Sequence, residues 1–343
     1  MKLGIFFGGQ STERDVSFMT CHNIYKVLKD ISDIELALFE LDQEGRIWLI
    51  EKEFFEHKNI RSSQVTKFHK DPENSYSTID IFFSLIHGNL GEDGGLQGFF
   101  RTLNKPFVGC STLSSAVCMD KDFTKRLLSF AEINVADWLV IENKEDYSFE
   151  QAVSKINLPF YIKPANLGSS VGISRVTTKE DYLSFLDVAF KYDKKVLLEQ
   201  EIIGIEVECG VIGNEELIVS EVGSIETGEN EFYDYTKKYT DEHGATLSIP
   251  ATIQPSLKKE VQRISKIVYK TLECQGLARI DFFIDNNKNI IVSEVNTVPG
   301  FTSSSMFPLL FNEIGMSYEE LLLKLIGYGF AAYEKQNAIN YDY

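Results

Sequence analysis

Residues 279–305 constrain the fold more than any other stretch, because two short apolar runs there flank a polar turn. Ile280, Phe282 and Ile284 alternate with other residues and predict one β-strand. Residues 290–292 predict its partner across the polar turn. The segment is therefore expected to form a β-hairpin.

Side chains that carry oxygen lie on both predicted strands of this hairpin. Asp281 is on the first strand, and Glu294 and Asn296 follow the second. Strand pairing would bring the three together, and carboxylate and amide oxygens suit Mg²⁺ that also holds substrate phosphates. An ordinary hairpin with solvated acids is the alternative, and for Asp281 alone it is the better interpretation. For Glu294-x-Asn296, followed by Pro299-Gly300, a metal and phosphate site is favoured.

Length and charge limit the possible function classes. The chain of 343 residues fits two or three domains. Its net charge of −17 would repel a polyanion, so no nucleic-acid partner is expected, although small anions need only a few local lysines. Five widely spaced cysteines without a CxxC motif predict neither a disulfide framework nor a zinc site. With no signal-peptide core and no run of ~20 apolar residues, the protein is expected to be cytoplasmic and not membrane-bound.

The first segment predicts a strand, a glycine turn and a helix. Residues 2–7 predict a buried strand, and the turn at residues 8–9 leads into the helix, where backbone N–H groups favour an anion. Neither GxGxxG spacing nor a Walker lysine is present, so no dinucleotide or P-loop site is predicted. Glu13 is interpreted as a first-turn acid, with a substrate ammonium as the alternative partner. The apolar positions of the predicted helix are Val16, Met19, Ile24 and Val27.

A second apolar run, residues 79–86, predicts a strand that ends at His87. The loop at residues 88–98 contains five glycines, and ligand sites in open α/β sheets lie beyond the carboxyl ends of strands. The loop is therefore predicted to be functional, while His87 remains open between a core or capping residue and a site residue. A short helix at residues 99–103 and a strand at residues 106–109 are predicted to follow.

Lys163 closes a predicted strand and precedes a Gly/Ser-rich loop at residues 164–173. A lysine charge and a concave set of loop amides suit a phosphate group. The glycines also permit a mobile lid that would exclude water during transfer. A polar hairpin with an exposed lysine is the alternative.

Further elements follow in the second half of the chain. The predicted strand from Val196 has Glu199 and Glu206 at its ends, which suit a nucleoside, although taken alone solvated surface acids are the better interpretation. The polar, tyrosine-rich excursion at residues 226–245 is predicted to be an ordered lid. Helices are predicted at residues 178–192, from Pro255 to Leu272 and from the capping-box candidate Ser317-x-x-Glu320 to Lys335.

Five blocks occur in register along the chain. They are Gly8-Gly9-x-Ser11-x-Glu13-Arg14-x-Val16-Ser17, His87-Gly88-x-x-Gly91-Glu92-Asp93-Gly94-x-x-Gln97-Gly98, Met119-Asp120-Lys121, Lys163-Pro164-x-x-x-Gly168-Ser169-Ser170-Val171-Gly172, and Arg279-Ile280-Asp281 with Glu294-x-Asn296-Thr297-x-Pro299-Gly300. Together these blocks resemble the D-alanine–D-alanine ligase family over nearly the whole chain. The resemblance implies the three-domain α/β ATP-grasp fold. Its expected parts are an N-terminal open parallel-sheet domain (1–109), a central α+β lid domain (110–203) and a C-terminal α+β domain (204–343).

The resemblance implies an ATP-dependent carboxylate–amine ligase of peptidoglycan precursor synthesis. ATP would phosphorylate the carboxylate of one D-alanine, and the amine of a second would attack the acyl phosphate, releasing ADP and phosphate. A related ligase with D-serine or D-lactate as second substrate is the alternative. Two other classes stay open: an ATP-grasp enzyme for another carboxylate, which should lack the Glu13 and His87 blocks, and a non-catalytic relative, which should have lost a metal ligand or Arg279.

Roles for individual residues also follow from the resemblance. The residues implied to contact ATP are Lys121, Lys163 and the lid residue Lys238 at the phosphates, Glu199 with the backbone of Glu201 and Ile202 at the adenine, and Glu206 at the ribose. The residues implied to hold two Mg²⁺ ions, which Mn²⁺ can replace, are Asp281, Glu294 and Asn296.

The same resemblance assigns the amino-acid substrates. Glu13 would bind the first ammonium and be linked through Ser169 to Tyr239 of the lid, with His87 in the same substrate site. The residues implied to act on the second half of the reaction are Arg279 and the Gly300 amide at the oxyanion, and Ser305 and Met306 at the second carboxylate.

The lid motif bears on the second substrate. Dipeptide-forming members resemble this chain in ending the motif with Lys-Tyr, here Lys238-Tyr239, whereas the lactate-using pattern has Phe or an unrelated lid. Tyr239 therefore favours D-alanine. D-serine is harder to exclude, because one hydroxyl adds little discrimination in a small pocket. A homodimer is implied by the resemblance alone.

Overall fold

The computed structural model describes residues 1–11, 13–56, 62–72, 74–226 and 246–339. The strands in these ranges form three sheets that follow one another along the chain. No helix within them is long and apolar enough to cross a membrane. The candidate lid residues Lys238 and Tyr239 lie outside the described residues.

The first sheet has six strands. They are β1 (Lys2–Gly8), β2 (Glu35–Leu41), β3 (Ile47–Ile50), β4 (His69–Lys70), β5 (Ile81–Ser84) and β6 (Phe107–Val108). Their order is β4-β3-β2-β1-β5-β6, in which β2, β1, β5 and β6 are parallel and β3 and β4 form an antiparallel edge. Parallel strands are usually buried on both faces. Accordingly, Ile5 and Phe7 lie in one apolar cluster and Phe6 lies in another.

Helices accompany this sheet. They are α1 (Arg14–Leu28), α2 (Glu53–Glu56) and α3 (Gly95–Thr102). The predicted strand and helix at the start of the chain are confirmed, but the place of Met19 on the apolar face is wrong, since Met19 is 52% exposed. Its neighbour Phe18 is buried, with its ring centroid 4.9 Å from that of Phe7. Adjacent residues point about 100° apart on a helix, so the larger ring faces the sheet and Met19 does not.

The second sheet is antiparallel and has its own apolar core. Its strands are β7 (Trp138–Ile141), β8 (Phe160–Pro164), β9 (Ser174–Val176) and β10 (Val196–Gln200), in the order β7-β10-β8-β9. Helices α6 (Phe149–Ile156) and α7 (Lys179–Ala189) cover it, and both begin with a capping box. Along the chain, α4 (Thr112–Met119) and α5 (Lys121–Phe130) come after the first sheet and before the second.

The third sheet contains the predicted hairpin. Its strands are β11 (Gly204–Gly213), β12 (Ile218–Glu226), β13 (Thr246–Ser248), β14 (Gly276–Asp285) and β15 (Ile290–Asn296), in the order β13-β12-β11-β14-β15. The helices here are α8 (Pro255–Thr271), α9 (Met306–Glu313) and α10 (Tyr318–Asn337). The hairpin β14–β15, the Pro255 start of α8 and the Ser317–Glu320 capping box are all confirmed.

Packing crosses the predicted domain boundaries. Cys118 of α4 and Leu128 of α5 share a buried cluster with Val207 of β11, so these helices pack with the third sheet. Leu321 and Leu325 of α10 share a cluster with the first sheet. The boundaries at residues 110 and 203 stay a prediction.

Candidate active site

Three loops from distant parts of the chain meet beside the carboxyl ends of β1 and β5. A Cβ atom added to Gly88 would lie 3.6 Å from the Cβ of Ser11, so the loops after β1 and β5 are adjacent. The buried His87 has its Nδ1 2.9 Å from the carbonyl oxygen of Val298, in the turn after β15. The first and third sheets therefore build one site together.

The Gly/Ser loop after β8 approaches the same place. A Cβ on Gly168 would lie 3.9 Å from Glu13 Oε2. Ser169 and Ser170 both have left-handed backbones, with φ of 54° and 57°. Such conformations are uncommon for residues other than glycine and often occur at functional sites. The loop and Glu13, which were predicted separately, are brought together.

Glu92, in the loop after β5, lies close enough to the acidic residues Glu13 and Glu294 for their charges to act on it. Its Oε2 accepts a hydrogen bond from the backbone N–H of Gly88 at 2.9 Å. Burial first, and then the negative charges of Glu13 and Glu294, raise the pKa of Glu92 to about 8, although the Gly88 hydrogen bond and the Lys121 charge oppose the shift. The site thus gathers the carboxyl groups of Glu13, Glu92 and Glu294 around Lys121.

Lys121 begins α5 and ties the Gly/Ser loop to the third sheet. Its Nζ donates to the Leu167 carbonyl at 2.7 Å and lies 3.8 Å from Glu294 Oε2, and its backbone N–H donates to Ala165 O at 3.1 Å. Burial lowers the pKa of Lys121, an effect that Glu294 opposes. A buried lysine of this kind presents one charge to an anion lying between loop and strand.

Two lysines hold Glu199 of β10. Lys163 of the neighbouring strand β8 donates to Glu199 Oε1, and Lys125 Nζ of α5 lies 2.8 Å from Oε2. Burial would raise the pKa of Glu199, but Lys125 and Lys163 lower it to about 2, so the carboxylate is ionised. Lys163 and Glu199 were predicted site residues; Lys125 was missed, and only its position one turn after Lys121 hinted at it.

The Arg279 guanidinium on β14 lies buried between carboxylates. Its Nε and Nη2 donate to the two oxygens of Asp281, each at 2.7 Å, and Nε is 3.0 Å from Glu208 Oε2. Asn296 Nδ2 also donates to Asp281, at 2.8 Å. Strand register explains this set, since Asp281 lies opposite Glu208 of β11, and Arg279 lies opposite Asn296 of β15. Glu208 was missed, because an acid inside a strand otherwise reads as a surface residue.

The oxygen donors of the hairpin fit a divalent cation. Asp281 and Glu294 are paired in register, and Asn296 uses its amide nitrogen on Asp281, which leaves its amide oxygen for a ligand. Two carboxylates and an amide oxygen are hard donors of the type that Mg²⁺ takes. Within the described ranges, no three His, Cys, Asp or Glu side chains form a complete metal cluster. Asp281, Glu294 and Asn296 could therefore supply three oxygen donors to a divalent cation, and further ligands would have to come from elsewhere.

The turn between β15 and α9 is closely packed around Ser305. Ser305 Oγ accepts from the Thr302 N–H at 3.0 Å and lies 2.7 Å from Thr302 Oγ1. A Cβ on Gly300 would lie 3.2 Å from Ser305 Oγ. Met306, the first residue of α9, is buried. Gly300 and Ser305 are thus neighbours, and their place in a substrate site stays a prediction.

The residues predicted to contact adenosine do not share one strand as expected, because Glu199 lies on β10, Glu201 and Ile202 follow it, and Glu206 lies on β11. Glu201 is bound by Arg175, at 2.6 and 2.9 Å, and by the Tyr161 hydroxyl at 3.1 Å. Ile202 is partly exposed, and Glu206 is partly exposed near the start of β11. The Glu201 carboxylate is therefore held by Arg175 and Tyr161, and the Glu201 backbone N–H donates to the Pro159 carbonyl at 3.4 Å.

Comparison with known proteins decides the family. The protein-family model described as "D-ala D-ala ligase N-terminus" matches residues 2–110, and the family model described as "D-ala D-ala ligase C-terminus" matches residues 127–327. The chain belongs to the D-Ala–D-Ala ligase family. D-alanine--D-alanine ligase A of Escherichia coli K12 is 39% identical over 99% of this chain and 98% of its own length. The D-alanine--D-alanine ligase of Lactobacillus helveticus is 40% identical over 98% and 97%.

Solved structures of the D-Ala–D-Ala ligase family share the fold. The enzyme from Coxiella burnetii has a TM-score of 0.86 at 30% identity and covers 98% of this chain and 96% of its own. The VanG D-Ala:D-Ser ligase of Enterococcus faecalis has a TM-score of 0.83 at 33% identity, covering 96% and 99%. A Bacillus anthracis ligase solved with ATP has a TM-score of 0.78 at 27% identity, covering 98% and 99%. The chain has the three-domain ATP-grasp fold.

Proposed function

We propose that this protein joins two D-alanine molecules into D-alanyl-D-alanine, a step of peptidoglycan precursor synthesis, and converts ATP to ADP and phosphate. It is an ATP-dependent carboxylate–amine ligase. The observation that carries the proposal is the meeting of Glu13, Lys121 and Glu294 around the Gly/Ser loop, in a chain related to D-alanine--D-alanine ligases over its whole length.

ATP lies between the second and third sheets in this proposal. Lys121 and Lys163 contact its phosphates, because both ammonium groups border the Gly/Ser loop or the strand before it. Backbone amides of that loop add donors to the phosphates. The residues that contact adenosine are Glu199, Glu201 and Ile202 at the adenine and Glu206 at the ribose.

Two Mg²⁺ ions, or Mn²⁺ in their place, belong to the proposal. When bound they neutralise charge on the phosphoryl group during its transfer. Asp281, Glu294 and Asn296 hold them, while Lys121 and Lys163 supply further positive charge. Lys238, outside the described residues, adds another lysine from the lid.

Residues of the first and third sheets position the amino acids. Glu13 accepts the ammonium of the first D-alanine, with His87 and Ser169 beside it and Tyr239 contributed by the lid. Arg279 and the Gly300 amide donate to the oxyanion that forms when the second amine attacks the acyl phosphate, a role that supplies about 3–4 kcal/mol per donor. Ser305 and Met306 bind the carboxylate of the second D-alanine.

Phosphate release with ATP, Mg²⁺ and D-alanine tests this function. The expected result is turnover that requires D-alanine, with D-alanyl-D-alanine identified by mass spectrometry. Absence of D-alanine-dependent turnover would exclude the proposal. D-serine is a second candidate for the acceptor, since the VanG D-Ala:D-Ser ligase is 33% identical. Repeating the assay with D-serine or D-lactate as second substrate separates the three acceptors.

Location and assembly complete the proposal. Within the described ranges all five cysteines are free and buried, which suits the reducing cytoplasm. We include a homodimer, and sedimentation analysis of the purified protein checks it.

A further inference from the structure

Lys125 is a buried lysine for which no role has been assigned above. Its side chain reaches from α5 to β10, where Nζ lies 2.8 Å from Glu199 Oε2 and donates to the Ala136 carbonyl at 3.2 Å. The ammonium also lies 5.7 Å from the centre of the Trp138 ring. The ion pair, the carbonyl and the ring fix the position of this charge.

Burial prevents Lys125 from contacting a ligand directly. The residue is 1% exposed, whereas Lys163 on the other side of Glu199 is 8% exposed. A charge this deep persists only when it is paired and hydrogen-bonded. Lys125 therefore acts on Glu199, and through Glu199 on its surroundings.

The charges of this cluster do not cancel. Glu199 contributes one negative charge, and Lys125 and Lys163 contribute two positive charges, one at each carboxylate oxygen. With Lys125 in place, Glu199 is neutralised from one side, and a net positive charge remains at Lys163. Without Lys125, the ion pair with Lys163 would be the one left to Glu199 in the part of the chain that the structure describes, and that pair would be neutral.

We propose that Lys125 is a positioning residue for nucleotide binding, which neutralises Glu199 so that the Lys163 charge remains available to the phosphates of ATP. The inference rests on the nucleotide site of the proposed function. It assigns Lys125 no contact with substrate.

Three variants and calorimetric binding of ADP test the inference. Lys125→Met keeps the length and apolar stem of the side chain and removes its charge. The double variant Lys125→Met/Glu199→Gln also removes the negative charge, which restores the net positive charge at Lys163 and leaves an amide oxygen for the adenine. Lys105→Met is the matched control, since Lys105 donates to two backbone carbonyls, Ser77 O and Ile79 O, beside the first sheet.

The expected result is a charge-dependent loss of phosphate binding. Lys125→Met raises the Kd for ADP at least about tenfold, equivalent to about 1.4 kcal/mol, and leaves the Kd for adenosine within threefold. The double variant returns the Kd for ADP to within about threefold of the wild type. In turnover assays, Lys125→Met raises KM for ATP more than it lowers kcat, and KM for D-alanine does not change. Lys105→Met behaves as the wild type.

Three results would overturn the inference. They are an unchanged Kd for ADP in Lys125→Met, equally weak ADP binding by the single and double variants, and an equal loss of adenosine and ADP binding. The last two would show that Lys125 only supports the fold. Calorimetry needs no D-alanine, so a wild type that binds ADP without D-alanine-dependent turnover refutes the proposed ligation and leaves this test intact. A wild type that binds no ADP refutes both.

Discussion

Arg279 binds Asp281 through two parallel hydrogen bonds of 2.7 Å, although the two residues are only two positions apart on one strand. Side chains two positions apart lie on the same face of a strand, which makes the contact possible. The pair joins an oxyanion donor to a metal ligand of the proposed mechanism. Because Glu208 also contacts Arg279, a single guanidinium compensates two buried acids.

Removal of Arg279 should therefore lower the free energy of unfolding as well as the rate of the reaction. Arg279→Met leaves Glu208 and Asp281 buried without their cation, and we expect a loss of about 3–5 kcal/mol in the free energy of unfolding, measured with urea. Arg279→Lys keeps the charge but lacks the planar guanidinium, so the free energy of unfolding should fall less than in Arg279→Met. The rate of phosphate release should still fall sharply. Arg263→Met, at an exposed ion pair with Glu260, is the control and should change stability little. Equal stability of Arg279→Met and the control would contradict this account.

Glu294 should determine the magnesium requirement. Its carboxylate is about one-third exposed and faces Lys121, so Glu294→Gln should preserve the fold while removing one metal ligand. We expect the Mg²⁺ concentration for half-maximal phosphate release, at saturating ATP, to rise about tenfold or more, which corresponds to about 1.4 kcal/mol. The exposed Glu319→Gln serves as control. A variant with the wild-type Mg²⁺ curve would remove Glu294 from the metal site.

Local patterns predicted the elements of the site well. The alternation of Ile280, Phe282 and Ile284 gave the hairpin, and the Glu-x-Asn spacing placed Glu294 and Asn296 near Asp281. Such features depend on residues that are close in sequence, where side-chain period and turn composition determine structure.

Contacts between distant segments were not predictable in the same way. Lys125 and Glu199 are 74 positions apart and meet only because α5 packs beside β10. The His87 contact with Val298 spans 211 positions. Nothing in the local pattern around either residue specifies such a partner, since it depends on how whole elements pack. The error at Met19 is smaller in scale, because its apolar neighbour Phe18 is the residue that α1 buries.

Because of Glu92, the free energy of unfolding should decrease as the pH rises. Its folded pKa of about 8 lies above the ordinary value of 4.5, because burial and then Glu13 disfavour the charged form. Below pH 4.5 the folded and unfolded chains both hold the proton. Between about pH 4.5 and 8 only the folded chain holds it, so this contribution is lost as pH rises, by at most about 1.4 kcal/mol per pH unit.

Glu92→Gln should remove that dependence. The amide still accepts a hydrogen bond from Gly88 but cannot ionise, so we expect a flatter profile of unfolding free energy from pH 5 to 8 and a more stable protein at pH 8. Urea titrations at several pH values measure the unfolding free energy, and Glu313→Gln, at an exposed residue, is the control. Parallel profiles for wild type and Glu92→Gln would show that Glu92 ionises normally.

Tyr239 tests the lid motif. If Lys238-Tyr239 marks a dipeptide-forming enzyme, Tyr239→Phe should increase the use of D-lactate relative to D-alanine, since the hydroxyl would no longer favour an amine nucleophile. Product ratios in mixtures of D-alanine and D-lactate measure the effect. Unchanged selectivity would count against the role given to the lid.

Gly300 should affect the second substrate through Ser305. An added Cβ would lie 3.2 Å from Ser305 Oγ, a group fixed by two contacts with Thr302, so the hydroxyl cannot move away without losing them. We therefore expect Gly300→Ala to raise KM for the second D-alanine about tenfold, equivalent to about 1.4 kcal/mol, with little change in KM for ATP. Gly327→Ala is the control, because nothing lies within 4 Å of a Cβ at Gly327. In the Ser305→Ala background the close contact with Oγ is absent, so adding Gly300→Ala should raise KM for the second D-alanine much less there. An equal rise in KM in both backgrounds would mean that Gly300 acts through its own amide and not through Ser305.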